Sequence, residues 1–475
     1  MPRAVPLRGV IEGFYGNPWT TDARLALVER LAAIGMNAYV YAPKDEPKHR
    51  TEWRVPYDAG ELAAFGAIVE RARGGGVRVG FAVSPGLDVD YASATDRRLL
   101  VDKLAARADA GIDWFVLALD DIPLRPGLAA EQADLAALVR EALDGARLTL
   151  CPTEYVGTRP TEYLRTLGDR LPPDVDLMWT GPTVCSPTIA AADARAWRTA
   201  TGGRAPILWD NFPVNDATMA ASLHLGPYEG RDPALTDEVA GVLLNPMVQP
   251  LASTVAIATA AEFLADPTGY EPEAAWARAI EETGGAHAAQ LAPLARACST
   301  SPLRPPERLP LHAAVEALAK DPAHADLAPL TTELLAARHA ARDWPAGDPL
   351  GDEVRPWLDA LAVEAAAGLA ALRLVEGVRA ADADAEALMQ QAFGLLFRWS
   401  GAREQRFVAY GARFAIYAAV VQLADGRPAL DVDLGLVEDG SAIDPLCRLA
   451  LAAYRNWVAA RSPDQPAPAD AGPTG

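Results

Sequence analysis

Residues 114–121 read WFVLALDD, six apolar residues that end on two adjacent carboxylates. A short apolar run closed by polar residues is the pattern of a buried strand that emerges at the edge of a sheet. Working outward, the same texture recurs before it in GVIEGFYG (9–16), NAYVYAP (37–43) and VRVGFAVSP (77–85). It recurs after it in LTLCPTEY (148–155), DLMWTGP (176–182), APILWDN (205–211) and GVLLNPM (241–247). Amphipathic helical stretches separate most of these segments, as parallel β/α units require. Eight such strands within about 240 residues fit a (β/α)8 TIM-like barrel better than an open sheet. The barrel is expected over residues 1–265, with its sixth and seventh crossovers less regular than the others.

Each strand candidate is apolar through its body and polar or Gly/Pro-rich at its carboxyl end, where barrel enzymes carry their chemistry. One rim is therefore expected to gather Tyr15, Lys44, Asp120, Asp121, Tyr155, Asn211 and Asn245, which lie far apart in the chain.

Beyond residue 265 the texture changes. Pro and Gly cluster in DPTGYEP and STSPLRPPERLP, so 266–308 reads as a transition with a helical segment. Ala/Leu-rich stretches at helical spacing then predict an α-helical bundle over 309–461. Its helices are expected near 309–343, 353–378, 380–400, 404–424 and 442–460. The Pro/Ala/Gly-rich end, 462–475, is expected to be a disordered tail.

Composition narrows the function classes. The formal net charge of −20 argues against binding nucleic acid or an anionic membrane by bulk electrostatics. No run of about 18 apolar residues offers a membrane span, and the first residues lack the apolar core of a secretory signal, so a cytoplasmic location is expected. The cysteines at 151, 185, 298 and 447 are scattered, with no CxxC pair and no nearby histidine. They read as buried thiols rather than a zinc site or a disulfide framework.

The pair Asp120-Asp121 is the sharpest local signal. Charges at the end of an apolar strand cost several kcal/mol to bury unless paired or functional. Neighbouring carboxylates repel, which pushes one pKa up, leaves the other low, and makes an acid and a base of identical side chains. Metal binding by the pair and helix capping by Asp121 are rival readings. In RGVIEGFYGNPWT (8–20), two glycines bracket Phe14 and Tyr15, giving either a ligand-lined loop with an aromatic wall or a plain tight turn. Lys44, in YAPKDEPKHR, is either a donor to sugar hydroxyls or a solvated charge. CPTEYVGT supplies Tyr155, and WDNFPVND supplies Trp209, Asn211 and Asp216. With Asn245 these offer the bidentate groups and aromatic faces that sugar recognition needs.

These blocks resemble glycoside hydrolase family 84, the β-N-acetylglucosaminidases that include protein O-GlcNAcases. The resemblance rests on GVIEGFYGNPW, YAPKDEPKHR, FAVSPGLD, LALDDI, CPTEYVGT, MWTGP, WDNFPVND, LGPYEGR and LLNP, in family order over about residues 8–264. It implies a retaining exo-glycosidase in which the acetamido oxygen of a terminal N-acetylglucosamine attacks its own anomeric carbon to give an oxazoline. By that resemblance Asp120 accepts from the acetamido N–H and Asp121 is general acid, then general base. Gly13 and Lys44 are expected at sugar hydroxyls, and Asp216 and Asn245 at the far hydroxyls of the ring. Tyr155 and Asn211 are expected at the acetamido oxygen, and Trp209, Tyr15 and Thr180 around the acetyl group. No cofactor and no metal are expected, and the partner is a GlcNAc-bearing glycoprotein or oligosaccharide. A homodimer through the helical region is a further expectation. An endo-acting, hyaluronidase-like hydrolase and a catalytically silent GlcNAc-binding protein are the competing readings.

Overall fold

The computed structural model describes residues 5–143, 145–411, 417–422, 428–433 and 441–461, so the tail expected at 462–475 lies outside the described residues. Eight parallel strands close into a barrel in chain order: β1 (Leu7–Glu12), β2 (Ala38–Tyr41), β3 (Arg78–Val83), β4 (Trp114–Ala118), β5 (Arg147–Cys151), β6 (Asp176–Trp179), β7 (Ile207–Asp210) and β8 (Gly241–Leu244). Closure is made by β8 on β1, where Leu243 lies opposite Gly9. The expected (β/α)8 barrel is therefore the observed fold.

Strand parity divides the side chains into two packed sets, because successive residues of a strand face opposite sides. Leu7, Ile11, Val40, Ala82, Trp114, Val116, Ala118, Met178, Ile207 and Leu243 pack together inside the barrel. Their alternating neighbours, among them Val10, Tyr39, Phe81, Phe115, Leu117, Leu177 and Leu208, pack against the helices. Two residues past the inward Ala118 comes Asp120. By the same count Thr180 follows Met178, Trp209 follows Ile207 and Asn245 follows Leu243. Parity thus delivers four polar or aromatic side chains to the barrel mouth.

Helices Thr21–Ala33, Ala59–Gly74, Ala94–Asp109, Leu128–Ala142, Glu162–Arg170 and Ala191–Ala200 follow β1 to β6, and Pro250–Ala265 follows β8. Several start on side-chain caps: Thr20 accepts from the Ala23 amide, and Asp58 forms a capping box with Glu61. The sixth crossover has an ordinary helix. The seventh is irregular as expected, with two 3-10 turns, Ala217–Met219 and Pro233–Asp237, between β7 and β8.

By packing, residues 5–285 with 301–304 and two later strands form one unit, and residues 286–300, 305–411 and 441–461 form a second. Helix Pro272–Gly284 belongs to the barrel unit, where the Trp276 indole donates to the Leu225 carbonyl at 2.6 Å. The second unit is helical and is built around Arg355–Arg379, which packs with Ala328–Asp343, Ala385–Arg403 and Ile443–Ala459. The helix expected over 309–343 is two helices, Pro310–Lys320 and Ala328–Asp343, because Asp321-Pro322 ends the first. The helix expected over 404–424 is also corrected. Residues Tyr417–Gln422 (β9) pair antiparallel with Pro428–Asp433 (β10). The alanines there suggest a helix, but Tyr417, Val420 and Val421 are residues that favour extended backbone. Among the described residues no helix is long and apolar enough to cross a membrane.

Candidate active site

The loop after β1 is held from three sides. The Gly13 amide donates to Asn245 Oδ1 at 3.2 Å, the Tyr15 amide to Asp216 Oδ2 at 2.7 Å and the Gly16 amide to Asp45 Oδ2 at 2.8 Å. Gly13 has no room for a side chain, since a Cβ there would lie 2.2 Å from Cζ2 of Trp209. Asn245 passes the link on by donating from Nδ2 to Asn211 Oδ1 at 3.0 Å, and Asn211 Nδ2 donates to the Val184 carbonyl at 2.8 Å.

Beneath this loop, Lys44 and Asp120 form a buried ion pair, Nζ to Oδ2, and the ammonium also lies 5.5 Å from the centre of the Trp209 ring. The other carboxylate oxygen, Asp120 Oδ1, is buried and has no hydrogen-bond partner among the described residues. A buried carboxylate oxygen left open is costly.

Asp121 owes its place to its backbone. Continued extension would send it to the opposite face from Asp120, but its φ of 56° lies in the left-handed region, which Asp tolerates better than most residues. Both of its oxygens accept from phenols, Oδ2 from Tyr15 at 2.7 Å and Oδ1 from Tyr155 at 2.8 Å. Thr180 joins through its amide, which donates to the Tyr155 carbonyl at 2.9 Å. All eleven residues singled out from the sequence thus meet at one rim, in two linked groups whose junction is the Asp120-Asp121 peptide.

Partial loss of solvent pushes the Asp121 carboxyl up, but the Lys44 charge, the Tyr15 and Tyr155 hydroxyls and the Arg50 charge together hold it below the ordinary aspartate range. Two cations and two donors outweigh the effect of burial. Asp216 moves the other way: burial raises its carboxyl, the Tyr15 amide lowers it, and the Asp121 charge adds to the rise. The capping reading of Asp121 fails, since the next helix starts at Leu128 with Gly127 as its cap. For a metal on the pair, the Lys44 ammonium already occupies the position beside Asp120 Oδ2.

Three supporting groups did not stand out in the sequence. Arg50 donates from Nη1 to the Tyr15 hydroxyl at 2.6 Å, and its only signal is that it closes the same segment as Lys44. Glu12, fully buried, accepts from Arg24 at 2.7 and 2.8 Å and from the Trp19 amide at 3.1 Å, which anchors the β1 loop. Asp210 accepts from Tyr228 at 2.6 Å and from Arg231 Nε at 2.8 Å, which fixes the end of β7 between Trp209 and Asn211.

A model of the beta-N-acetylglucosaminidase family matches residues 8–296. Over 271 residues, 54% of this chain, the sequence is 36% identical to the Protein O-GlcNAcase of Rattus norvegicus and, to the same extent, to that of Mus musculus. The matched part spans 29% of the length of each of these two relatives. A solved structure of an O-GlcNAc hydrolase mutant from Thermobaculum terrenum is similar over 97% of this chain and 96% of its own, with a TM-score of 0.82 and 28% sequence identity.

Proposed function

The chain belongs to the beta-N-acetylglucosaminidase family, glycoside hydrolase family 84, and from that premise we propose that it is a retaining exo-β-N-acetylglucosaminidase acting by substrate-assisted catalysis. The observation that carries this reading is the open oxygen of Asp120. Lys44 fixes Oδ2, so Oδ1 is left as a preorganised acceptor for one N–H donor. An acetamido N–H bonded there turns its carbonyl oxygen toward the anomeric carbon and gains stabilisation as positive charge grows on the group.

In the first step that carbonyl oxygen bonds to the anomeric carbon while the glycosidic bond breaks, and the leaving oxygen takes a proton from Asp121. In the second, Asp121 removes a proton from water as the water oxygen opens the ring, an oxazolinium whose N–H has stayed bonded to Asp120, which restores both groups. Holding the nucleophile within the substrate is worth about 7–11 kcal/mol of barrier in well-oriented cases. Tyr155 couples binding to protonation in this scheme. When its hydroxyl turns from Asp121 to the acetamido oxygen, the carboxylate loses a donor and its affinity for a proton rises. Asn211 assists at that oxygen, and Trp209, Tyr15 and Thr180 enclose the acetyl group. Lys44, Asp216, Asn245 and the Gly13 backbone bind the ring hydroxyls.

An aryl β-N-acetylglucosaminide tests the reading, and release of the aryl alcohol with free N-acetylglucosamine is expected. Absence of turnover by folded protein anywhere between about pH 4 and 9 would refute it. Product sizing on a polysaccharide separates single-sugar release from the internal cuts of an endo-acting enzyme. The four unbridged thiols support assignment to a reducing compartment, the cytoplasm.

The partner surface is assigned to helix Ala385–Arg403, which leaves Phe393 75% and Phe397 80% exposed beside Met389 and Leu396. Glu386 and Arg403 lie at opposite ends of the same face, so an antiparallel pair of these helices sets acid against base at both ends and Phe393 against Leu396 at the centre. A second copy is the occupant that this self-complementary stripe fits. Light scattering at about 10 μM is expected to give the mass of two chains, falling to one chain in Phe393→Asp/Phe397→Asp with the melting temperature kept. A monomeric wild-type protein would rule it out.

A further inference from the structure

We propose that Arg50 is a positioning residue which, acting through the Tyr15 hydroxyl, fixes the rotamer and the proton occupancy of Asp121. The inference rests on the reading of Asp121 as general acid and adds a group outside the sugar-binding set.

The argument is one of donor and acceptor inventory. A guanidinium can only donate. Because Arg50 Nη1 donates to the Tyr15 oxygen at 2.6 Å, that oxygen is an acceptor toward Arg50, and its own hydrogen is free to point to Asp121 Oδ2 at 2.7 Å. The chain of bonds has one direction, from cation to phenol to carboxylate. It is complete only when Oδ2 is an acceptor, which means an unprotonated Oδ2. Geometry holds the relay in register, since the Arg50 guanidinium lies 5.4 Å from the centre of the Tyr15 ring and the Tyr15 amide is tied to Asp216. Arg50 itself is 7% exposed, so its charge acts with little screening.

The other charged or titratable groups around the carboxylate come from five parts of the rim. They are Tyr15 after β1, Lys44 after β2, Asp120 after β4, Cys151 and Tyr155 at the end of β5, and Asp216 after β7. Lys44 acts on Asp121 through its charge alone, from its ion pair with Asp120, and Arg50 is the cation linked to Asp121 by hydrogen bonds, through the Tyr15 hydroxyl. Its position favours the charged carboxylate, in the same sense as the other groups that hold Asp121 low. Removing it therefore lets Asp121 keep its proton to higher pH, and the alkaline limb of activity moves up.

The test is the pH dependence of kcat/KM on a substrate with a poor leaving group. Arg50→Gln is expected to move the alkaline limb up by about half a pH unit or more, while Arg50→Lys, which keeps the charge, moves it less. In a Tyr15→Phe background the shift from Arg50→Gln should shrink, because the bridging hydroxyl is gone. An unmoved limb in folded Arg50→Gln overturns the proposal. Should that variant not fold, Tyr15→Phe carries the test, and its limb must also rise or the relay is wrong. Failure of the underlying reading looks different: the wild-type alkaline limb would then be the same for poor and activated leaving groups, which takes both proposals down. A wild-type limb that depends on the leaving group but ignores Arg50→Gln removes only the role of Arg50.

Discussion

Asp121→Ala is expected to lower kcat/KM by about 10²- to 10⁴-fold on a substrate whose leaving group is a sugar or a serine hydroxyl, and far less on one whose leaving group is an acidic phenol. An alkoxide leaves poorly without a proton, whereas a nitrophenolate leaves unaided, so the loss should grow with the pKa of the departing alcohol. Measuring kcat/KM over a series of aryl glycosides checks this. The variant should show a steep dependence on leaving-group pKa where the wild type shows a shallow one. Equal losses across the series would contradict the assignment of Asp121 as the acid. Asp121 accepts two hydrogen bonds at the exposed mouth and, among the described residues, belongs to no buried ion pair, so Ala there should leave the melting temperature close to that of the wild type.

The second large effect is expected from Asp120→Asn. Asparagine keeps the shape but turns a charged acceptor into a neutral amide, so the acetamido group loses the charge that stabilises it as the oxazoline forms. A preorganised electrostatic contact of this kind is typically worth about 10²- to 10³-fold in kcat. Here the loss should be the same for every leaving group, because the missing interaction acts on the nucleophile and not on the departing oxygen. The pattern is thus orthogonal to that of Asp121→Ala, and the two variants separate the two roles. Stability must be measured alongside. Removing one partner of a buried ion pair typically costs about 3–5 kcal/mol, and Lys44 loses its counter-charge in this variant. A folded Asp120→Asn protein with near-wild-type kcat would end the substrate-assisted reading.

Much of the site was legible before the structure because the barrel is built from a local rule. Apolar strand bodies, polar carboxyl ends and intervening helical periodicity placed Tyr15, Lys44, Asp120, Asp121, Tyr155, Asn211 and Asn245 at one rim, and alternation along each strand then faces Asp120 and Asn245 inward. The seventh crossover shows the limit of periodicity. There the sequence signalled only irregularity, and the two 3-10 turns between β7 and β8 depend on tertiary contacts such as Asp210 with Arg231 and Tyr228. The strands β9 and β10 show the opposite failure, in which an alanine-rich run gave a helical signal and antiparallel pairing prevailed over it.

By itself the sequence determined the barrel, the rim and the adjacency of two carboxylates, since these follow from strand parity and chain order. Only the tertiary structure decided how the two carboxylates differ. The left-handed turn at Asp121 swings its side chain from the helix side to the mouth. The β2 loop delivers Lys44 to one aspartate and Arg50, through Tyr15, to the other. Those choices depend on loop paths and on side chains 35 to 76 residues apart in the chain meeting in space, and no local propensity encodes them.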